Sequence, residues 1–166
     1  MPNWCTNKLT MTGETKIIKN LVKQVFAKNE FFNLIIPRPN NEDLGDENYW
    51  DESENWGTDR DIDVEYQLIN ADELRTILIS EDKQDITTLN IVFYSAWTPP
   101  LKVYEELNKC GLSIFAVYWE LGCLFCGCYD NGVLSQDTIT GYRKDLPSYL
   151  LDVEESYEDF PLDEYE

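Results

Sequence analysis

The sequence predicts an α+β domain: an antiparallel sheet carrying two helices on one face. Three observations predict it. Short runs alternate apolar and polar residues with period two. Two other runs repeat apolar residues at helical spacing. The two kinds of run are interleaved, with Gly, Pro and Asn between them.

The elements follow in order. Residues 3–12 (NWCTNKLTMT) alternate and stop at Gly13, which predicts a strand. Thr15 is the expected cap of a helix. Ile17, Ile18, Leu21, Val22, Val25 and Phe26 form its apolar stripe, opposite Lys16, Lys19, Lys23 and Lys28. The apolar run 31–36 ends at Pro37 and Pro39. Residues 40–62 then read as a polar, acidic insertion, docked on the body by Tyr49, Trp50 and Trp56. Residues 62–69 (IDVEYQLI) alternate and predict a strand, while 71–79 fit a short helix or a poorly paired strand. Residues 87–96 predict a strand. Pro99 and Pro100 open a helix over 101–109 that Gly111 stops. Residues 112–119 predict another strand, with a turn at Gly122. Residues 123–129 and 133–135 bracket Asp130, Asn131 and Gly132, a hairpin signal. This order is the ferredoxin-like split βαβ sandwich, with an extra C-terminal hairpin. It divides the chain into a ferredoxin-like domain, 1–135, and an acidic, aromatic-containing tail, 136–166.

Composition sets limits on function. The 166 residues suit one domain, and 43% hydrophobic with 13% aromatic content supplies a core. No run is apolar over the ~18 residues a membrane helix needs, and MPNWCTNKLT lacks the pattern of a signal peptide. The expectation is a cytoplasmic protein, in the host cytoplasm if phage-encoded, with no membrane partner. Five cysteines, an odd number, favour free thiols. Histidine is absent, which removes the commonest general base and the commonest metal ligand together. No catalytic residue and no cofactor is assigned.

Charge is the most informative property. The net charge is −19. Residues 42–65 hold eleven acids and one base, Arg60; residues 145–166 hold nine acids and no base; the remainder holds twelve of each sign. A neutral body thus carries two acidic segments. Direct binding to nucleic acid needs Lys and Arg, so it is excluded in favour of a basic protein partner.

Four stretches, PNWCTNKLTMTG (2–13), NWGTDRDIDV (55–64), YSAWTPP (94–100) and YWELGCLFCG (118–127), together resemble the YubB-like ferredoxin-like family found on bacterial plasmids and phages. The resemblance spans roughly residues 2–134. It implies the same fold and a mobile-element origin, and it implies no activity. The tail and the acidity of 42–54 depart from the family's pattern.

Four constellations carry candidate chemistry. Cys123, Cys126 and Cys128 in ELGCLFCGC have the spacing of a zinc knuckle, but a second C-x-x-C is missing and no His can complete four ligands. The preferred reading is a strand that packs cysteine as a small hydrophobe, so no metal is expected. Asp59, Asp61 and Asp63 open like a calcium loop, but Val64 and Asn70 stand where Gly and Glu belong. Asn3, Trp4, Trp56, Trp97 and Glu120 are candidates for a ligand groove. In the acidic segments, Asp51, Glu52, Glu54, Asp59, Glu154, Glu155, Glu158 and Asp159 are candidates to pair with basic partner residues. Trp50, Tyr157 and Phe160 are their candidate apolar anchors.

The function expected from these readings is inhibition of a basic host enzyme — a nuclease, CRISPR component or restriction component — by a surface that imitates DNA phosphates. The alternatives are a small-ligand-binding domain or enzyme using the Trp-lined groove, and a structural adaptor.

Overall fold

The computed structural model describes residues 2–39, 50–81, 85–140, 143–156 and 159–160. Its centre is a five-stranded antiparallel sheet: β1 (Trp4–Glu14), β2 (Ile86–Ala96), β3 (Ser113–Glu120), β4 (Phe125–Asp130) and β5 (Val133–Thr138), in the order β2-β1-β3-β4-β5. The helices are α1 (Thr15–Lys28), α2 (Phe32–Ile35), α3 (Glu52–Trp56), α4 (Val64–Gln67), α5 (Ala71–Ile79), α6 (Leu101–Lys109) and α7 (Ser148–Leu151). The fold is therefore α+β.

Strand alternation sorts the buried residues into two cores. Leu9, Met11, Leu89, Ile91, Phe93, Ile114, Ala116 and Tyr129 share one core with Ile18, Val22 and Val25 of α1, Val103, Tyr104 and Leu107 of α6, and Trp56 of α3. Their strand neighbours Val117, Trp119 and Cys126 point the other way. They share a second core with Ile139, Leu146, Leu150, Val153 and Phe160. The C-terminal segment is thus folded against the second face of the sheet. The boundary read from sequence at 135/136 falls inside β5, and the described part of the acidic, aromatic-containing tail packs on the sheet through α7.

Two local expectations are corrected. Thr15 does not cap α1: Glu14 holds the cap position without a side-chain bond, and the Thr15 hydroxyl pairs with that of Thr87 at 2.9 Å. Residues 62–69 do not form a strand. The Asp63 side chain accepts from the Glu65 N–H and starts α4, while Asn29, left-handed at the end of α1, accepts the Val64 N–H. Val64, Gln67 and Leu68 are buried at helical spacing, and Tyr66, which an alternating strand would bury, is 81% exposed.

What remains of that strand is one bridge, Leu68 to Phe93, at the free edge of β2. Side chains finish the job. Asn70 accepts the Val92 N–H at 2.9 Å and donates to the Asn90 carbonyl at 2.9 Å; Gln67 donates to the Tyr94 carbonyl at 3.2 Å. Two amides imitate a neighbouring strand, which blunts the edge. At the other side of the sheet, Asn131 and Gly132 both take positive φ, 45° and 98°, and form the two-residue hairpin loop predicted between β4 and β5.

Asp61 ties the acidic insertion to the body. Its carboxylate accepts from the backbone N–H groups of Phe31, Phe32 and Asn33 at 3.0, 2.8 and 2.7 Å, and from Ile62 at 2.8 Å. It serves as a distant cap for α2. Asp61→Ala leaves those donors without their acceptor and is expected to cost about 2–4 kcal/mol in a urea titration. A cost below about 0.5 kcal/mol, the range of ordinary surface changes, would show that the tie is dispensable.

Candidate functional site

A cavity of about 560 Å³ opens at one end of the sheet. Its floor is Thr6 of β1, and the strand register places Tyr94 and Trp119 directly opposite it on either side. Trp4 lies two residues along β1 on the same face. Pro2, Asn3, Glu120, Leu121, Gly122 and Asp159 complete the lining. Trp4 and Tyr94 are accessible, at 42% and 37%, whereas Trp119 is buried and shows the cavity little of its ring.

The polar groups differ in availability. Glu120 is buried, and both its oxygens are engaged: they accept from the N–H groups of Gly122 and Cys123 at 2.6 Å each. Glu120 therefore shapes the β3–β4 turn. A Cβ at Gly122 would collide with the Asn3 side-chain amide and crowd Glu120 Oε1, so a side chain there would force Asn3 to move. Asp159 is exposed. Its Oδ2 accepts the Trp119 indole N–H at 2.6 Å, and no partner of Oδ1 occurs among the described residues.

Of the five groove residues read from sequence, Asn3, Trp4 and Glu120 come together here. Trp56 and Trp97 do not line the cavity. Trp56 is buried in the first core; its indole N–H donates to the Ile36 carbonyl at 2.9 Å, and the Arg38 guanidinium lies over its ring at 4.7 Å. Trp97 is 41% exposed at positive φ, 67°, and its backbone N–H, bonded to the Asn3 carbonyl at 2.8 Å, is what steadies the cavity's rim. Thr6, Tyr94, Trp119 and the rim position of Asp159 were missed. The parity of Trp4 and Thr6 is visible in the sequence, but the register that brings Tyr94 and Trp119 beside Thr6 is not.

The acidic candidates separate into two groups. Asp51 caps α3, accepting from Ser53 and Glu54, and these bonds hold its carboxyl below the ordinary range. Glu52 pairs with Arg38 at 3.1 Å. Glu54 and Asp59 are exposed, and Trp50 packs edge-on against Trp56. In the second group Glu154 is exposed, and Phe160 is 3% exposed in the second core, so its ring lies inside the chain. The Glu155 side chain, Tyr157 and Glu158 lie outside the described residues. Because α3 belongs to the first core and Phe160 to the second, the described members of the two groups lie on opposite sides of the sheet.

The cysteines do not converge. Cys126 and Cys128 share a face, facing Asp137 and Ser135 across the β4–β5 pair, while Cys123 sits in the turn. Among the described residues no group of three Cys, Asp or Glu is placed to hold a metal. Burial pushes the Cys5, Cys126 and Cys128 thiols upward, and the neighbouring Glu120 carboxylate does the same to Cys123. None is tuned toward a thiolate nucleophile.

A buried polar chain lies in the first core. Tyr104 donates to Asn7 Oδ1, Asn7 Nδ2 donates to Ser95 Oγ, and Ser95 donates to the Thr98 carbonyl, each at 2.8 Å. The Tyr118 hydroxyl beside it is buried without a partner. It lies over Gly127, where a Cβ would approach to 2.3 Å.

The chain matches none of the family models, curated proteins or solved structures with which it was compared. Among the described residues no helix is long and apolar enough to cross a membrane.

Two outcomes follow from these groups. Tyr118→Phe removes an unsatisfied hydroxyl and is expected to leave stability unchanged or raise it, whereas Tyr104→Phe strands Asn7 and costs about 1–3 kcal/mol. Equal losses in urea titrations of the two variants would contradict the bonding described. Folded-state thiols raised by burial confer stability that is full below the ordinary thiol range and falls as pH climbs through it. The urea midpoint is therefore expected to fall from about pH 8.5 upward, less steeply in Cys5→Ala. A flat midpoint to pH 10 is the opposing result.

Proposed function

We propose that the chain is a mobile-element accessory protein that binds and inhibits a basic host nucleic-acid-binding or defence enzyme through acidic, DNA-like surfaces. The observation that carries this reading is the charge distribution: −19 overall, concentrated in 42–65 and 145–166. Exposed Glu54 and Asp59 on one side and Glu154 on the other are available to cations of a partner. An interface that imitates phosphates needs acids set on a folded surface, and both groups are anchored by packed neighbours, Trp56 and Val153.

The resemblance of the four motifs to the YubB-like family supports the mobile-element origin, and the ferredoxin-like architecture belongs to the same proposal. In its support, α6 connects β2 to β3 with β1 lying between those two strands, as in a split βαβ unit. Leu68, bridged to Phe93, stands where the outer strand of such a fold would begin. A second reading, a small-ligand-binding domain, is favoured by the cavity beside Trp4 and Tyr94.

The test uses purified basic nucleases and restriction or CRISPR components. Inhibition and a steep fall of association rate with salt are expected for one of them. Replacing Glu54, Asp59 and Glu154 with their amides is expected to leave the melting temperature within about 1–2 °C, slow association about tenfold and flatten the salt slope. Equal rates and slopes for wild type and variant would reject the electrostatic reading.

A further inference from the structure

Among the described residues an aromatic ring, a carboxylate and a guanidinium are twice combined. Arg38 lies 4.7 Å over Trp56 and pairs with Glu52 at 3.1 Å. Arg75 lies 4.8 Å over Phe26 and pairs with Asp72 at 2.9 Å. The combination is physically apt. A guanidinium is planar and weakly hydrated, stacks on an aromatic face, and offers a fork of N–H donors to a carboxylate.

The cavity presents two of the three parts. Trp4 and Tyr94 give accessible rings on one sheet face, and Asp159 stands on the same lining with Oδ1 unengaged among the described residues. The bond from Trp119 Nε1 to Oδ2 fixes that carboxylate, so little freedom is lost when it accepts a ligand. Among the described lining residues there is no Lys or Arg. The described lining therefore favours a cation: among the described residues it carries the Asp159 carboxylate with Oδ1 open, beside two accessible aromatic rings of the kind that attract cations.

We propose that this cavity is an arginine-binding site, which receives an arginine side chain of the basic protein partner between Trp4, Tyr94 and Asp159. The inference rests on the inhibitor reading above and adds its anchor. The acids of the two segments draw the partner in, and the cavity holds one chosen side chain. A volume of about 560 Å³ exceeds one guanidinium, so the cavity also admits the aliphatic stem and adjoining peptide.

The test contains no host protein. Acetyl-Gly-Arg-Gly-amide, the same peptide with lysine, the same peptide with uncharged citrulline, and free L-arginine are titrated into the full chain by ligand-observed NMR. The arginine peptide is expected to bind best, about tenfold more tightly than the citrulline peptide. Trp4→Ala and Asp159→Asn are each expected to weaken it about tenfold while the urea midpoint confirms folding. Should Trp4→Ala fail to fold, Tyr94→Leu serves in its place with the same expectation. Equal binding of arginine and citrulline peptides, unchanged affinity in the variants, or a lysine peptide as tight as the arginine one overturns the proposal. Tighter binding of free L-arginine than of the peptide also overturns it, by making the ligand a metabolite. These failures leave the charge-based reading intact. That reading falls instead if no basic enzyme associates with the chain, whatever the peptides do.

Discussion

Every other element takes its position from β1, the strand hydrogen-bonded along both edges. Residues 4–14 pair with β2 and residues 6–12 with β3, so one short segment fixes two registers. A slip by one residue would turn Leu9 and Met11 out of the first core and bring Lys8 and Thr10 in. The same slip would move Thr6 from the cavity floor. The parity that builds the core also builds the site. Asn7 adds specificity on the buried side: it is enclosed, and its bonds to Tyr104 and Ser95 form only when β1, β2 and α6 are in register. An apolar residue there would tolerate more than one alignment.

The two sides of the sheet are then put to different uses. The first face carries the larger core, with α1 and α6 laid on it. The second is covered near β3 and β4 by the C-terminal segment, whose Leu150 and Phe160 close over Val117 and Trp119. Among the described residues that cover leaves Trp4 and Tyr94 accessible at the β1–β2 end, and the cavity lies beside its edge. One wall is sheet, another is the edge of the C-terminal segment, and the β3–β4 turn held by Glu120 closes the end.

Much of this was legible because the relevant signals are local. Alternation in NWCTNKLTMT and TTLNIVFYSA, the prolines before 101 and the Asn-Gly turn each specify their own element. Residues 62–69 misled because IDVEYQLI fits both periods. The Asp63 cap and the Asn29 side chain, distant by 34 and 35 positions from the atoms each meets across that junction, decide for the helix. The packing of the C-terminal segment was illegible for a related reason. Leu146, Leu150, Val153 and Phe160 are dispersed among acids, and their common destination on Trp119 depends on tertiary placement. Trp56 and Trp97 were paired with Trp4 by residue type, but a ring's usefulness to a site depends on strand face. Trp56 lies in the first core, on the opposite side from Trp4.

The opposed placement of the acidic groups constrains the proposed inhibition. A sheet with its covering layers separates Glu54 and Asp59 from Glu154, and a Debye length of about 8 Å at physiological salt screens one group from the contacts of the other. The whole charge steers approach from a distance, but close pairing takes place on one face at a time. The C-terminal face has the stronger claim to that role, since it joins acids to exposed aromatic rings and a cavity. On the other face Trp50 and Trp56 are turned inward, Asp51 and Glu52 are bound within the chain, and Asp61 is committed to backbone N–H groups. Acids occupied in holding the fold have little left for a partner. Of the described acids in 50–65, Asp51, Glu52 and Asp61 are committed to contacts within the chain, which leaves Glu54 and Asp59 the more available to a partner.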